Sequence, residues 1–275
     1  MIYTLTLSPS IDLYMRFSSL NLGQMNRAEE EYAQVGGKGI NVSLQLKSLG
    51  LESVPIVVVG GFTGNYIAEF LQKDFNPILI YSKNLSRINP KVQANYQETE
   101  LNASTELEED VLVLVKEKLS ALKSEDVLVV SGNAPLEVYQ FLLKDVSARL
   151  VLDVRGRLLL SLQEYHPWIV KPNQAELEEI DADAISACKK LLKNSSIVLY
   201  TKGALGAELW TKDKVIRVDG KNMVSKSQVG CGDAFLAAFL KHILDGCSLE
   251  DSLDFANECG SYRAKYNVFM SQKRL

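Results

Sequence analysis

The segment EDVLVVSGNAPLEVYQFLLKDVSARLVLDVRG (residues 125–156) carries the pattern that decides the fold. It opens with an apolar run, continues with apolar residues at helical spacing, and closes with a second apolar run. A strand that is apolar throughout is typical of a parallel sheet covered on both faces, because neither face of such a strand meets water. The segment therefore predicts a strand, a helix and a second strand of an α/β fold.

The same alternation of apolar runs and helical patterns covers most of the chain. The further predicted strands and helices are IYTLTLSP (2–9), GINVSLQLKSLG (39–50), SVPIVVVGG (53–61), NYIAEFLQKDF (65–75), PWIVKPN (167–173), AISACKKLLKNS (184–195) and SIVLYTKG (196–203). Because the strands are separated by helices, we expect a mostly parallel central sheet flanked by helices on both faces.

Two polar segments, residues 12–35 and about 84–103, interrupt this alternation. They leave no room for a helix of the main pattern, so we interpret both as strands of a small sheet that projects as a lid. Residues 206–218 predict a hairpin that turns at Lys212–Asp213. No repeat, low-complexity tract or linker is evident, so residues 1–275 are expected to form one α/β domain.

The composition favours a soluble globular protein of the cytoplasm. Hydrophobic residues make up 47% of the chain, charged residues 23%, and the net charge is −4. No long basic run points to a nucleic acid, no apolar run is long enough to span a membrane, and the N-terminus does not resemble a signal peptide. The four cysteines are scattered without a CxxC pair and the histidines number two, which argues against a protein-built metal site and for a reducing compartment.

Polar residues gather where the predicted strands end. They lie at Ser131–Asn133, Asp153, Lys171–Asn173 and Thr201–Gly203. In an open parallel sheet, ligands bind outside the carboxyl ends of the strands. Four such ends from separate strands indicate a binding site at this edge.

The stretch VGGKGIN (35–41) places glycines where a strand turns into a helix. Backbone without side chains can approach a small ligand closely, and Lys38 and Asn41 can point into the same space. A plain turn with Lys38 in solvent is an equally good interpretation of this stretch. The stretch is not a Walker loop, because no Ser or Thr follows the Gly-Lys pair.

A second glycine turn, VGCGDAF (229–235), opens a helix near the C-terminus. Asp233 in the first helical turn could simply cap the unpaired N–H groups there, or it could act as a base beside a cradle for a phosphate. Cys231 is interpreted as a small filler rather than a nucleophile, because no histidine is placed to activate it.

The stretch KPNQAEL (171–177) has Asn173 and Glu176 at the spacing of a helix capping box. The same pair could hold hydrated Mg²⁺ near a triphosphate.

Three polar residues in or beside the predicted lid also have two interpretations. Asp12, which follows LSPSI at the end of the first predicted strand, is either a turn former or an acceptor of hydrogen bonds from sugar hydroxyls. Arg87 and Lys91 are either solvated surface cations or the groups that meet a phosphate on the substrate.

Taken together and in order, seven motifs resemble the ribokinase-like PfkB family of sugar kinases, within it the branch of 1-phosphofructokinases and tagatose-6-phosphate kinases. The motifs are TLSPSID, GGKGIN, GGFTG, SRIN, SGN, KPNQAEL and VGCGDAF. The resemblance implies a ribokinase-like fold and an ATP- and Mg²⁺-dependent kinase that phosphorylates D-fructose 1-phosphate to fructose 1,6-bisphosphate. Tagatose 6-phosphate or another sugar is the alternative substrate, and a non-catalytic sugar-phosphate sensor is a further alternative. An oxidoreductase that uses a nicotinamide cofactor is disfavoured, because no early GxGxxG is present.

The resemblance also assigns roles to residues. It makes Asp233 the catalytic base and lets the backbone of Gly230, Cys231 and Gly232 bind the transferred phosphoryl group. It assigns the sugar phosphate to Asp12, Gly37, Lys38, Asn41, Arg87 and Ser131, with Arg87 gripping the phosphate already present. It assigns the nucleotide side to Asn173, Glu176, Thr201, Lys202 and Gly203, with Glu176 reaching Mg²⁺ through water.

The chain departs from the usual Gly-Ala-Gly-Asp-Ser of the family, since Cys231 and Ala234 replace Ala and Ser. A lid sheet leaves strand edges and an apolar face that a second copy could cover, so a homodimer through the lid is a further expectation.

Overall fold

The computed structural model describes residues 1–95, 97–221 and 228–269. Its strands, in chain order, are β1 (Ile2–Thr6), β2 (Ser10–Phe17), β3 (Glu30–Gly36), β4 (Val54–Gly60), β5 (Ile78–Ser82), β6 (Arg87–Ala94), β7 (Gln97–Glu100), β8 (Val127–Gly132), β9 (Arg149–Val154), β10 (Ile169–Val170), β11 (Ile197–Thr201), β12 (Gly206–Trp210) and β13 (Val215–Asp219). Its α-helices are α1 (Lys38–Ser48), α2 (Gly61–Gln72), α3 (Glu109–Ser120), α4 (Leu136–Leu143), α5 (Gly156–Ser161), α6 (Gln174–Glu178), α7 (Ala184–Leu191), α8 (Cys231–Leu244) and α9 (Leu249–Tyr266).

In the described part of the chain, nine strands form a central sheet in the order β13-β12-β11-β10-β9-β8-β1-β4-β5. All neighbours from β11 to β5 are parallel, and β12 and β13 add an antiparallel hairpin at the edge. The predicted mostly parallel sheet and the predicted hairpin are both confirmed. Strand β1 lies between β4 and β8, so the connections diverge on its two sides and leave a crevice at its carboxyl end.

Strand β8 shows why its sequence is apolar at successive positions. Leu128 and Val130 belong to the hydrophobic core on one face of the sheet, whereas Val127 and Val129 belong to the core on the other face. Tyr139 of α4 packs into the first core, and Phe239 of α8 packs into the second. Because helices cover both faces, neither set of strand side chains can be polar.

A separate four-stranded sheet has the order β3-β2-β6-β7. Strand β2 runs antiparallel to β3 and parallel to β6, and β6 runs antiparallel to β7. This sheet contains the strands predicted in the two polar segments, although residues 18–29 between β2 and β3 form a loop. The ribokinase-like arrangement of a large, mostly parallel sheet with a small lid sheet is therefore confirmed.

Helix α2 begins four residues earlier than predicted, at Gly61. Gly61 and Gly64 of GGFTG therefore lie inside the helix, and Gly60 is the last residue of β4. Among the helices that the structure describes, none has both the length and the apolar character needed to cross a bilayer.

Candidate active site

The carboxyl ends of β9 and β10 and the start of α1 bring two ammonium groups against one buried carboxylate. Asp153, in β9, is 1% exposed; its Oδ1 lies 3.0 Å from Lys171 Nζ and its Oδ2 lies 3.4 Å from Lys38 Nζ. Burial alone would raise the pKa of Asp153, but Lys171 and Lys38 outweigh burial and hold the pKa below its ordinary value. The Asp153 carboxylate therefore stays ionised between the two lysines.

Asp233 lies in the first turn of α8 and is buried. Its Oδ2 accepts a hydrogen bond of 2.8 Å from the side-chain amide of Asn41, in α1. Burial, and then the charge of Asp153, raise the pKa of Asp233 to about 6, whereas Lys38, Asn41 and Lys171 act in the opposite direction. A carboxylate with a pKa near the working pH is suited to accept a proton.

The turn before α8 presents backbone rather than side chains. Gly230 has φ of 76°, a left-handed conformation that favours glycine, and the Ala234 N–H donates to the Gly230 carbonyl at 2.9 Å. The N–H groups of Gly232 and Asp233 lie before this first helical bond, where a helix binds anions readily. A Cβ on Gly232 would lie 3.2 Å from Lys171 Nζ, so this ammonium lies directly against the turn. The pKa of Cys231 is raised to about 11 by burial, which keeps its thiol neutral.

The junction between β3 and α1 packs closely against the end of β1. Gly37 has φ of 133°, and a Cβ there would approach the Thr6 side chain to 2.8 Å. A Cβ on Gly39 would approach the Leu5 carbonyl oxygen to 2.6 Å. Only glycine fits so close to the strand, and this close packing brings Lys38 and Asn41 to the buried acidic groups described above.

Asp12 lies in the small sheet, and the sequence prediction that placed it at the end of the first strand is wrong. Strand β1 ends at Thr6, and Asp12 is the third residue of β2. Asp12 Oδ1 accepts hydrogen bonds from Ser10 Oγ at 2.7 Å and from Asn89 Nδ2 at 3.3 Å. A Cβ on Gly36 would lie 2.5 Å from Asp12 Oδ2, so the carboxylate is held at the junction of the small sheet with the glycine loop.

Arg87, the first residue of β6, is anchored by two backbone carbonyls. Its Nη2 donates to the Ser8 carbonyl at 2.5 Å and its Nη1 donates to the Ala103 carbonyl at 3.3 Å. The buried Nε has no partner among the described residues. Burial lowers the pKa of Arg87, and the charge that opposes this effect is Asp12. Arg87 thus faces Asp12 and the lid rather than Asp233. Lys91, also in β6, is buried and pairs with Glu100 at 2.6 Å.

Asn173 and Glu176 form the capping box that their spacing predicts. The Asn173 side chain accepts from the Glu176 N–H at 2.9 Å, and Glu176 Oε2 accepts from the Asn173 N–H at 2.8 Å. Burial raises the pKa of Glu176, and the nearby charges include Lys171, Asp153 and Lys38. Glu176 is therefore both a capping residue and a neighbour of the charged cluster.

The remaining predicted residues lie at the ends of β8 and β11. Ser131 faces Asp153 in the strand register, and its buried hydroxyl has no partner among the described residues. Thr201 pairs with Asn173 in an isolated bridge. Lys202, next to Gly203, instead directs its ammonium to Glu208 at 2.9 Å.

Three residues of the site were not assigned a role from the sequence. Asp153 and Lys171 were noted only as polar groups at strand ends, and the contact of Asp153 with Lys38 connects residues 115 positions apart. Arg263, in α9, is a buried arginine that donates to the Val229 carbonyl beside Gly230. A buried charge cannot be distinguished from a surface charge by residue type alone, so no local signal pointed to Arg263.

Within residues 1–95, 97–221 and 228–269, no group of three or more His, Cys, Asp or Glu side chains could hold a metal ion.

Comparison with known proteins gives a consistent result. Residues 5–267 match the pfkB family of carbohydrate kinases. The chain is 33% identical to 1-phosphofructokinase of Borreliella burgdorferi and 34% identical to 1-phosphofructokinase of Bacillus subtilis, in each case over 96% of this chain and 92% of the relative. It is 28% identical to D-tagatose-1-phosphate kinase of Bacillus licheniformis over the same shares.

The fold agrees with these sequence relationships. Phosphofructokinase-2 of Escherichia coli, solved with substrates and products, superposes with a TM-score of 0.90 at 25% identity, covering 99% of this chain and 96% of that one. A family match across nearly the whole chain, together with two relatives above 30% identity, shows that this chain belongs to the pfkB family of carbohydrate kinases.

Proposed function

We propose that this chain transfers the terminal phosphoryl group of ATP to D-fructose 1-phosphate, which gives fructose 1,6-bisphosphate. The observation that carries the proposal is the placement of Asp233, a buried carboxylate with a raised pKa, in the first turn of α8, where the N–H groups of Gly232 and Asp233 precede the first helical bond. A base next to an anion cradle is what phosphoryl transfer to an alcohol requires.

In the proposed reaction, Asn41 orients the Asp233 carboxylate toward the acceptor hydroxyl. This hydroxyl loses its proton to Asp233 as its oxygen attacks the terminal phosphorus of ATP, and the bond from that phosphorus to the departing ADP breaks. The backbone of Gly230, Cys231 and Gly232 and the first turn of α8 stabilise the charge that develops on the phosphoryl oxygens; for this, the Cys231 N–H exchanges its long bond of 3.4 Å to the Gln228 carbonyl for the phosphoryl group. Lys171, which lies against Gly232, adds a positive charge at the same place. Asp153 keeps Lys171 and Lys38 directed toward the reacting groups.

The acceptor is proposed to carry a phosphate because of Arg87. Its guanidinium lies at the lid with a buried Nε that has no partner among the described residues, and it faces Asp12, which can accept hydrogen bonds from sugar hydroxyls. Lys38 lies nearer the reacting centre, since the charges that act on it belong to Asp153, Asp233 and Glu176. The two cations therefore serve different ends of the substrate, and the argument for a phosphorylated acceptor depends on Arg87.

The nucleotide is proposed to lie along the ends of β10 and β11, beside Asn173, Thr201, Lys202 and Gly203. Glu176 is the residue that would hold Mg²⁺, through water, because its partly free carboxylate adjoins the charged cluster. When bound, Mg²⁺ neutralises phosphate charge. The protein supplies few ligands of its own, which suits an ion that arrives with the triphosphate.

We further propose that the chain folds as one domain with the small sheet as its lid, and that it acts in the cytoplasm as a homodimer through that lid. Tyr32 of β3 and Ile88 of β6 are large apolar side chains exposed on the lid strands. Light scattering of the purified chain would give a monomeric mass if this assembly is wrong.

The substrate is tested with a panel of sugars in the presence of ATP and Mg²⁺. We expect kcat/KM to be highest for fructose 1-phosphate and roughly 100-fold lower for fructose, which lacks the phosphate that pairs with Arg87. Asp233→Asn is expected to lower kcat by about 100-fold or more and to leave sugar binding nearly intact.

Each other outcome has a definite meaning. A preference for a tagatose phosphate would replace the proposed substrate with the alternative, as the relative from Bacillus licheniformis suggests. Binding of sugar phosphates without ADP release would favour the non-catalytic sensor. Near-normal turnover in Asp233→Asn would exclude Asp233 as the base.

A further inference from the structure

Arg263 is a buried cation that forms no ion pair with an acidic side chain of the described residues. It is 3% exposed. Its Nε donates to the Val229 carbonyl at 3.3 Å, its Nη1 donates to the Asn267 carbonyl at 2.8 Å, and its guanidinium lies 4.4 Å from the centre of the Phe269 ring. The groups that contact the positively charged guanidinium here, two backbone carbonyls and an aromatic ring, are thus neutral.

Burying a charge without a paired countercharge is unfavourable, so the presence of Arg263 at this place calls for an explanation. Burial lowers the pKa of Arg263, and the groups that oppose this effect are Tyr14, Cys231, Asp233 and, more weakly, Tyr32. Two of these groups belong to the first turn of α8. The positive field of Arg263 therefore acts on the place where the transferred phosphoryl group is proposed to bind.

Arg263 also contacts the turn that begins α8. Val229 precedes Gly230, and a Cβ on Gly230 would lie 3.3 Å from Arg263 Nε and 3.6 Å from Nη2. The guanidinium is thus packed against the one residue of the turn whose left-handed φ sets the direction of the following N–H groups. An arginine has a planar, rigid fork, so binding the Val229 carbonyl and the Asn267 carbonyl together ties the turn to the end of α9.

The other end of the guanidinium is held by a helix cap. Asn267 ends α9 with φ of 55°, its N–H donates to the Arg263 carbonyl at 2.8 Å, and its own carbonyl accepts from Arg263 Nη1. This double link connects the guanidinium to the end of α9. The cation is therefore fixed relative to α9 as well as to the turn.

We propose that Arg263 is a positioning residue for phosphoryl transfer, which holds the Val229–Gly230 turn in its anion-binding form and adds positive charge behind it. The inference rests on the proposed function, because its benefit appears when a phosphoryl anion enters the turn. Arg263 is not proposed to contact substrate directly.

The test compares Arg263→Gln, Arg263→Lys and a matched control, Arg149→Gln. Arg149 stacks on Trp168 at 4.4 Å, the same ring distance as in the Arg263–Phe269 pair, but it begins β9 at the opposite end of that strand from Asp153. We expect Arg263→Gln to lower kcat by about 100-fold, comparable with the loss of one oxyanion donor. The KM for the sugar phosphate should change less than about threefold, and Arg149→Gln should match the wild-type chain in kcat.

Arg263→Lys separates positioning from mere structural support. It keeps the charge but cannot bridge both carbonyls, so its kcat should lie about tenfold above that of Arg263→Gln and below that of the wild-type chain. Equal kcat in the two variants, with equal losses of thermal stability, would mean that Arg263 only supports the fold. If Arg263→Gln does not fold, a normal kcat in Arg263→Lys would overturn the proposal.

A second readout separates this inference from the proposed function. If the wild-type chain phosphorylates no sugar phosphate, the proposed function fails. The role of Arg263 is then tested by calorimetry, which measures the binding of ADP together with aluminium fluoride, a mimic of the transferred phosphoryl group. Binding that is weaker by about tenfold or more in Arg263→Gln, which corresponds to about 1.4 kcal/mol, would support the positioning role of Arg263. Unchanged binding would reject it.

Discussion

At the scale of the residue, Asp233 shows a conflict between stability and chemistry. The carboxylate is buried next to Asp153, and these surroundings raise its pKa to about 6. A raised pKa means that the folded state binds the proton more tightly than the unfolded state does. Ionisation of Asp233 at neutral pH therefore destabilises the fold, while it supplies the base that the proposed reaction needs.

Asp233→Asn should accordingly stabilise the fold at pH 8 and have little effect at pH 4. Between the ordinary pKa of 3.8 and about 6, the folded state holds more protons, so the contribution of Asp233 to stability falls as pH rises through this window. We expect the variant to gain about 1–3 kcal/mol in the free energy of unfolding at pH 8. Urea titration at both pH values measures the difference.

The matched control is Asp254→Asn, an exposed aspartate within α9. Its stability change should be small, because substitutions of exposed residues rarely change stability by much. A loss of stability in Asp233→Asn at pH 8 would show that attraction to Lys38 and Lys171 outweighs the cost of burial. In that case the raised pKa proposed for the base would be wrong.

At the scale of the element, α6 depends on side chains that also adjoin the charged cluster. It runs only from Gln174 to Glu178, and its first turn is closed by the reciprocal bonds of Asn173 and Glu176. So short a helix gains little from its own backbone bonds. The capping function and the proposed function near Mg²⁺ can coexist because each uses a different property of Glu176, its acceptor oxygen and its charge.

Glu176→Gln distinguishes these two properties. Glutamine keeps an oxygen that can accept from the Asn173 N–H, as capping boxes with Gln do, so the free energy of unfolding should change by less than about 0.5 kcal/mol. The concentration of Mg²⁺ that gives half-maximal activity should rise about tenfold, because a negative charge near the ion is lost. Kinetic titration with Mg²⁺ at saturating ATP measures this shift.

Two further variants serve as controls for Glu176→Gln, one for charge and one for capping. Glu178→Gln removes an exposed charge from the same helix and should leave the Mg²⁺ requirement unchanged. Asn173→Ala removes the cap and should cost about 1 kcal/mol in stability. An unchanged Mg²⁺ requirement in Glu176→Gln would leave Glu176 with a capping role alone.

At the scale of the whole molecule, the fold followed from the sequence more readily than the site did. Strands such as β8 are apolar at successive positions because both faces are covered, and this property is local in the sequence. The contact of Asp153 with Lys38 joins residues 115 apart, and the contact of Arg263 with Val229 joins residues 34 apart. Local patterns indicate whether an apolar residue is buried, but they do not indicate which distant residue a polar side chain contacts.

The lid illustrates the same difference. Its strands were predicted from the polar segments that interrupt the main alternation, yet Asp12 was placed on the wrong sheet. The segment TLSPSID contains both the end of β1 and the start of β2. A change of sheet within a few residues has no periodic signature, so this boundary became visible only through strand pairing.

Closure of the two sheets around a sugar phosphate gives the prediction for the whole molecule. Arg87 bridges the Ser8 carbonyl, next to β1, and the Ala103 carbonyl, beyond β7, so its guanidinium links the two sheets. Arg87→Ala should raise the KM for fructose 1-phosphate by about 10- to 100-fold, the value of one or two charge-assisted hydrogen bonds, with a smaller effect on kcat. Arg16→Ala is the control, because this lid arginine is exposed and forms its ion pairs with Glu29 and Glu30 on the surface. An Arg87→Ala enzyme with the wild-type KM would show that the phosphate of the acceptor binds elsewhere, and the case for a phosphorylated substrate would lose its structural basis.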